Sequence, residues 1–481
     1  MPPKLTPPVQ TIQGVRVAGI TTTNEITIAY PNSSPLGIIS SINSNPAPFP
    51  SSSRTSLPLL ALPPLTHPHV HLDKAYVHNT PAYTNLLPKT GTFTEALTST
   101  TKAKSSFNHP DLFRRGSWLL AESVASGVTA MRAFVEVDAT VEHICLNAGL
   151  TLKEEWEDIC NIQLVCFAQD PLFSAPHGEE NRNLIESALR SHTPDKLAVL
   201  GTTPYVESDL VASKRNIEYA VTLALETDRH LDFHLDYNLS PPDQGPEPLV
   251  WYALRILREK GWTSQYTDKR VMLGHCTRLS LFKEEDWTRL AREIREFDIP
   301  VSFVGLPTSD LYMASAPNVS AGCNPRGTLP VPDMIRKYGL DAVMGVNNVG
   351  NAFTPWGSAD PLSLACLGVG IYQTGTVNDA ELLYECVSTR ARTAIGLSPA
   401  LSRSGSSLCL KCGDPAELLL LYDVDDTGCF EDGASRPRTS VAEVVWDPPV
   451  RTSRAVVSRG RVKMPALPAC FGGGVFHFVE A

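Results

Sequence analysis

Between residues 57 and 400 the chain alternates short apolar runs with longer stretches whose apolar residues recur at helical spacing. This pattern predicts strands over Leu57–His71, Gly127–Asp138, Asn161–Pro171, Lys196–Glu207, Arg229–Asn238, Arg270–Ser280, Ile299–Met313 and Asp341–Asn351. Helices are predicted between them, most clearly over Asp111–Ser126, Val141–Asp158, Lys214–Asp228, Glu284–Phe297 and Val331–Tyr338. The fourth of these opens within Phe282-Lys-Glu-Glu-Asp-Trp287, with acids in the first turn where the helix dipole favours them. Such alternation requires parallel strands joined by helical crossovers. Eight repeats of the unit match a closed (β/α)8 barrel of the TIM type, whose active site sits at the carboxyl ends of the strands. An open doubly wound sheet is the competing arrangement, but no Gly-x-Gly-x-x-Gly follows the first strand to favour it.

The flanks have a different texture. Residues 10 to 56 are rich in Ser, Thr, Asn and Pro, with short β-branched runs such as Glu25–Tyr30. After residue 404 come Ala416–Tyr422, Val441–Trp446 and Ala455–Val462, which read as strands joined by turns. The expected organisation is a barrel over 57–404 and a small β-sandwich-like domain built from 1–56 and 405–481. Ser40–Thr55 reads as a loop or a weakly ordered insert.

Composition narrows the possibilities. A chain of 481 residues with 42% hydrophobic content can bury a large core. Its net charge of −10 argues against nucleic acid or an anionic membrane surface as the main partner. No apolar stretch approaches the ~20 residues that a membrane span needs. The start, Met1-Pro-Pro-Lys-Leu-Thr-Pro-Pro, lacks the charged and apolar regions of a secretory signal. Eleven cysteines, with Cys145, Cys166 and Cys366 inside apolar runs, suggest reduced thiols in a cytoplasmic protein. Cys409 and Cys412 form one Cys-x-x-Cys, without the second pair that a structural zinc site requires.

Residues 66 to 74 read Thr-His-Pro-His-Val-His-Leu-Asp-Lys. Side chains alternate faces along a strand, so His69 and His71 leave on the same side. Two imidazoles converging at a strand end make half of a transition-metal site. His234 stands at the end of the fifth predicted strand and His275 at the end of the sixth, in a chain with only twelve histidines. A barrel brings those outlets around one pocket; the bland alternative is four separate core histidines satisfied by backbone groups.

At this point the chain resembles the amidohydrolase superfamily, and within it the cytosine deaminase-like branch. The resemblance rests on His-Val-His-Leu-Asp after strand one, His234 after five, His275 after six and Gly345-Val-Asn-Asn348 at eight. It extends to Phe167-Ala-Gln169, Pro307–Tyr312, Asn324–Gly327 and Phe353–Trp356. The resemblance implies a divalent metal that activates water to attack a carbon–nitrogen bond in a small molecule. It makes His69, His71 and His234 metal ligands, places His275 near the attacking water, and has Gln169 read an amide edge of the substrate. Neutral imidazoles suit one Zn²⁺ or Fe²⁺, and three protein ligands leave a position open for water. Lysine is absent from the outlet of strand four, where members with a carbamylated bridging lysine carry it, so a single ion is expected. Family habit also suggests a homo-oligomer.

Two positions depart from the deaminase pattern. Its fifth strand ends His-x-Asp-Glu, and here it ends His234-Leu-Asp-Tyr237, so a phenol of pKa ~10 replaces a carboxylate of pKa ~4. Its eighth strand offers an aspartate that binds metal and takes a proton, where this chain has Asn347, followed by Asn348. An amide is a weak metal ligand at best and no base at pH 7.

Other groups are candidates for the missing proton transfer. Asp236 follows His234 by two and so is expected on the same face, as a proton carrier or in a structural salt bridge. Asp310, near the end of strand seven, is the second candidate, or else a helix cap. Lys74 and Arg326 would suit a substrate carboxylate, or would be solvated surface charges. Asp73 and Lys74 would alternatively pair and brace their loop. Tyr237 would donate to an oxyanion or simply fill the pocket, and His67 reads as a loop histidine rather than a fourth ligand. Trp356, Phe353 and Phe173 would line an apolar wall or belong to the core. The leading reading is a metal-dependent hydrolase of a non-peptide C–N bond in a small, cyclic molecule. The alternatives are an isomerase, lyase or cyclase on the same barrel, and a degenerate barrel that only binds.

Overall fold

The computed structural model describes residues 2, 8–18, 22–31, 36–44, 59–241, 243, 245–314, 326–397, 408–421, 438–463 and 478–480. Eight parallel strands stand side by side in chain order: Leu65–His71, Val128–Glu136, Asn161–Ala168, Val199–Thr202, His230–Leu235, Val271–His275, Val301–Gly305 and Ala342–Met344. The last turns back onto the first, since Asn347 N–H donates to the His69 carbonyl and His71 N–H to the Asn347 carbonyl. These bonds close the sheet into the expected (β/α)8 barrel. Every residue of the first strand is buried, as parallel strands covered on both faces must be.

The terminal segments form one mixed eight-stranded sheet. Its order is Arg461–Lys463, Arg454–Ser458, Leu418–Leu421, Leu59–Leu62, Val9–Val17, Asn24–Ala29 and Ile38–Ser44, with Phe478–Glu480 also paired to Val9–Val17. The run expected as one strand over Leu57–His71 is therefore two. Pro63-Pro64 divides it, because proline lacks an N–H for the ladder and restricts its neighbour. The half before the prolines belongs to the terminal sheet, which thus reaches past residue 57.

Three further expectations need correction. Val441–Trp446 is a helix, opened by a capping box in which the Ser440 side chain accepts from Glu443 N–H and the Glu443 carboxylate accepts from Ser440 N–H. Pro307–Met313, expected as the end of strand seven, is also helical, because Pro307 at the first helical position pre-sets the turn. The predicted loop over Ser40–Thr55 begins as strand, Ile38–Ser44, and its remainder lies outside the described residues. No helix among the described residues is long and apolar enough to cross a membrane.

Candidate metal centre

The first strand sets His69 and His71 two residues apart, and both point into the barrel mouth. Together with His234 from the fifth strand they offer one ring nitrogen each, all within 4.8 Å of one another. The Nε2 atoms of His71 and His234 lie 3.3 Å apart. All three side chains are buried, and Gly345 makes the room: a Cβ there would stand 3.1 Å from that of His69 and 2.9 Å from Leu306. Burial first, and then neighbouring His275, Lys74 and Arg132, drives the His69 pKa well below 6.5. Burial likewise leads for His71 and His234. The imidazoles are therefore neutral, with lone pairs free to bind a cation. Both ring nitrogens of His69, Nδ1 of His71 and of His234, and Oδ1 of Asn347 make no hydrogen bond. Buried polar atoms left without partners are costly unless something else satisfies them. The donor set fits a divalent transition metal.

Asn347 sits beside this cluster with its Nδ2 donating to Ser309 Oγ at 2.8 Å. Its φ is 65°, and Asp236 and His275 also have positive φ, 45° and 63°. Non-glycine residues rarely adopt this conformation, and here three of them turn the chain at barrel outlets. For Asp236 the consequence is a change of direction. The fifth strand ends at Leu235, so alternation no longer applies, and the carboxylate accepts from the N–H groups of Leu249 and Val250 at 2.9 Å each. Asp236 thus caps the start of helix Leu249–Glu259 instead of facing the histidines. Burial raises its pKa to about 6.

Asp310 is hydrogen-bonded at both carboxylate oxygens. His275 Nδ1 donates to its Oδ1 at 2.9 Å, while Thr328 Oγ1 and Leu306 N–H donate to Oδ2. This arrangement fixes the His275 tautomer with Nδ1 protonated and Nε2 as acceptor. The Tyr237 ring packs on His275 at 4.0 Å between centroids, and its hydroxyl donates to the Ser309 carbonyl at 3.4 Å. Burial, followed by Asp310, lifts the Tyr237 phenol well above its usual pKa, so it remains protonated.

Lys74 is not a solvated charge. It is buried against Glu136 at 2.5 Å and donates to Gln169 Oε1 at 3.2 Å. It does not pair with Asp73, whose carboxylate accepts from Glu136 N–H. Lys104 reaches the other oxygen of Glu136 and Asp138 at 2.6 Å each. Arg326 is the exposed one: its Nη1 donates to the Tyr312 carbonyl and the side chain faces solvent. His67 is buried in the strand rather than in a loop, with Nε2 3.1 Å from Ser123 Oγ; a register irregularity between His67 and Val70 breaks the alternation and leaves it on the face away from His69 and His71. Trp356 is exposed, Phe173 lies between Arg182 and Arg215, and Phe353 stands beside Lys74.

The sequence reading passed over Glu136 and Asp232. Asp232 Oδ1 faces His69 Nδ1 at 3.9 Å while Oδ2 accepts from Arg132 at 3.2 Å. Strand alternation carried the signal: Asp232 precedes His234 by two, and Glu136 shares a face with Phe134 beside His69 and His71.

Comparison with known proteins supports the same fold. No family model matches the chain. N-isopropylammelide isopropyl amidohydrolase of Pseudomonas sp. (strain ADP) is 21% identical over 377 residues, 78% of this chain and 83% of that protein. The 5-methylcytosine deaminase of Klebsiella pneumoniae, liganded with 5-fluorocytosine, superposes with a TM-score of 0.74 at 20% identity, covering 95% of this chain and 98% of that one. N-isopropylammelide isopropylaminohydrolase of Burkholderia multivorans gives 0.67 at 21% identity, covering 94% and 97%. The resemblance to the cytosine deaminase-like branch of the amidohydrolase superfamily, first read from the motifs, is thus supported by a sequence relative and by the shared fold.

Proposed function

We propose that the protein is a metal-dependent hydrolase that cleaves a non-peptide C–N bond in a small, cyclic molecule. The observation that carries this reading is the cluster of His69, His71 and His234, neutral, buried and with ring nitrogens lacking partners. One divalent cation, Zn²⁺ or Fe²⁺, is the expected occupant, with Asn347 Oδ1 as a weak further ligand. When bound, it supplies Lewis acidity that makes hydroxide available near neutral pH.

The protein's own residues then have distinct tasks. His275, oriented by Asp310, presents Nε2 to take a proton and hand it to the leaving nitrogen. Asp310, satisfied at both oxygens, holds the ring and stabilises its charged form. Asp232 below His69 would hold that ring's Nδ1–H and so turn Nε2 toward the ion, as carboxylates beside ligating histidines do. Gln169 and Lys74 form a polar corner in which Lys74, anchored on Glu136, offers its N–H groups to a carbonyl oxygen. Arg326 remains at the rim, where it would meet an anionic substituent only from outside. With Tyr237 and Asn347 in place of the two deaminase carboxylates, the His275–Asp310 pair carries the proton traffic alone. The eight cysteines among the described residues are all free thiols, in keeping with a proposed cytoplasmic location.

Elemental analysis of protein purified without chelators tests the reading: about one equivalent of Zn²⁺ or Fe²⁺ is expected. Hydrolysis of cytosine- or ammelide-type rings in ¹⁸O-labelled water should then place label in the product. A metal-free protein that stays inactive after reconstitution overturns the assignment.

A further inference from the structure

His69, His71, His234 and His275 are 0%, 2%, 1% and 4% exposed, so no substrate reaches them in this conformation. Something above the cluster has to move. The cover is aromatic. Phe93 packs 5.9 Å from the Tyr237 ring, which itself lies on His275, and 6.0 Å from Phe353, which stands over the Lys74 ammonium. Ala96, Tyr312, Met313 and Ala352 complete the same apolar patch.

Phe93 is the first residue of helix Phe93–Lys104, inserted between the first and second barrel strands. The two ends of that helix are held very differently. At its carboxyl end Lys104 is buried and ion-paired with Glu136 and Asp138. At its amino end the polar contacts are local: the Glu95 carboxylate accepts from Lys89, Thr90 and Gly91 N–H, and Thr92 caps Glu95 N–H. These bonds stiffen the helix start without tying it to the barrel, and Gly91 at φ 68° supplies a turn before it. An element with a fixed end and a self-contained free end is built to swing.

We infer that helix Phe93–Lys104 is a gate pivoting on Lys104, with Phe93 as the latch that closes the barrel mouth over the histidine cluster. The inference rests on the proposed active site, but its test does not require metal or activity. Metal-stripped protein is treated with diethyl pyrocarbonate, and acylation of each histidine is timed by mass spectrometry. His67, buried behind the barrel wall, serves as the internal reference for general loosening. Phe93→Ala should raise the rate at His234 and His275 about fivefold to tenfold, the effect of losing two aromatic contacts, and leave His67 unchanged. Leu97→Ala, an exposed position on the same helix, should stay within about twofold of wild type, as surface changes do. Equal rates in Phe93→Ala and wild type overturn the gate, and so does a parallel rise at His67. Phe93→Leu, which keeps the apolar volume, should fall between the two and serves if the alanine variant does not fold. Failure of the hydrolase reading would appear instead as absent metal or absent turnover in protein whose histidines still show gated acylation.

Discussion

Deep in the barrel, toward the amino ends of the strands, Arg132 donates from Nε to Gln163, from Nη1 to Asp232 and from Nη2 to the Ile395 carbonyl, and Gln163 donates to the same carbonyl. At the mouth, His69, His71 and His234 are just as buried, yet four of their ring nitrogens have no partner. The two regions share strands and solvent exclusion. They differ in how fully polar atoms are matched within the chain: among the Arg132, Gln163 and Asp232 side-chain atoms only Asp232 Oδ1, on the side of His69, lacks a hydrogen bond. Matched groups stabilise a plug; three imidazoles gathered within reach of one point, with ring nitrogens still unmatched, suit something from outside. Burial alone would have flagged both regions, and hydrogen-bond satisfaction separates them.

Substitutions at the two ends should fail in opposite ways. His71→Asn should lower turnover by more than about 10³-fold and abolish metal binding, with a smaller loss of stability than removing a matched buried charge causes. Arg132→Ala should instead leave Asp232 buried and unpaired, costing about 3–5 kcal/mol, readable as a fall in urea midpoint. If His71→Asn unfolds the protein while retaining metal, the contrast is wrong.

Within the mouth, Asp310→Asn should reduce kcat about 10²-fold by releasing the His275 tautomer, while metal content stays unchanged. An equal loss of metal would show that Asp310 acts on the ion instead. Asn347→Asp adds a carboxylate beside three neutral ligands, and metal affinity measured by chelator competition should rise roughly tenfold. No change would place Asn347 outside the coordination sphere.

The smallest effect belongs to the deep end. His230 Nδ1 accepts from Arg270 N–H, and burial, followed by Arg132 and Lys269, pushes its pKa from 6.5 down to about 3. A depressed folded value means that the unfolded chain takes up the proton first. Stability is therefore unaffected above pH 6.5 and declines as pH falls from 6.5 toward 3. Unfolding free energies from denaturant titration at pH 7 and pH 5 should differ by on the order of 1 kcal/mol less in His230→Gln than in wild type.

Much of this organisation was legible along the chain. Eight strand–helix units followed from periodicity, since period two and period 3.6 are local properties of the backbone. The Leu57–His71 run misled because its apolar character hid Pro63-Pro64, and Val441–Trp446 because β-branched content outweighed the Ser440–Glu443 capping box. The candidate site divided along the same line. His69 and His71 share a face by spacing alone, whereas Asp236 obeyed spacing only until the strand stopped at Leu235 and its φ turned positive.

By itself, then, the sequence determined the barrel, the order of its strands and which histidines stand at their outlets, because side-chain alternation and strand ends are written in neighbouring residues. Tertiary structure alone decided that Asp310 rather than Asp236 meets His275, that Lys74 is buried against Glu136, and that Phe93 packs beside Tyr237. Those pairings join residues far apart in the chain, and their geometry exists only once barrel closure sets the register between strands.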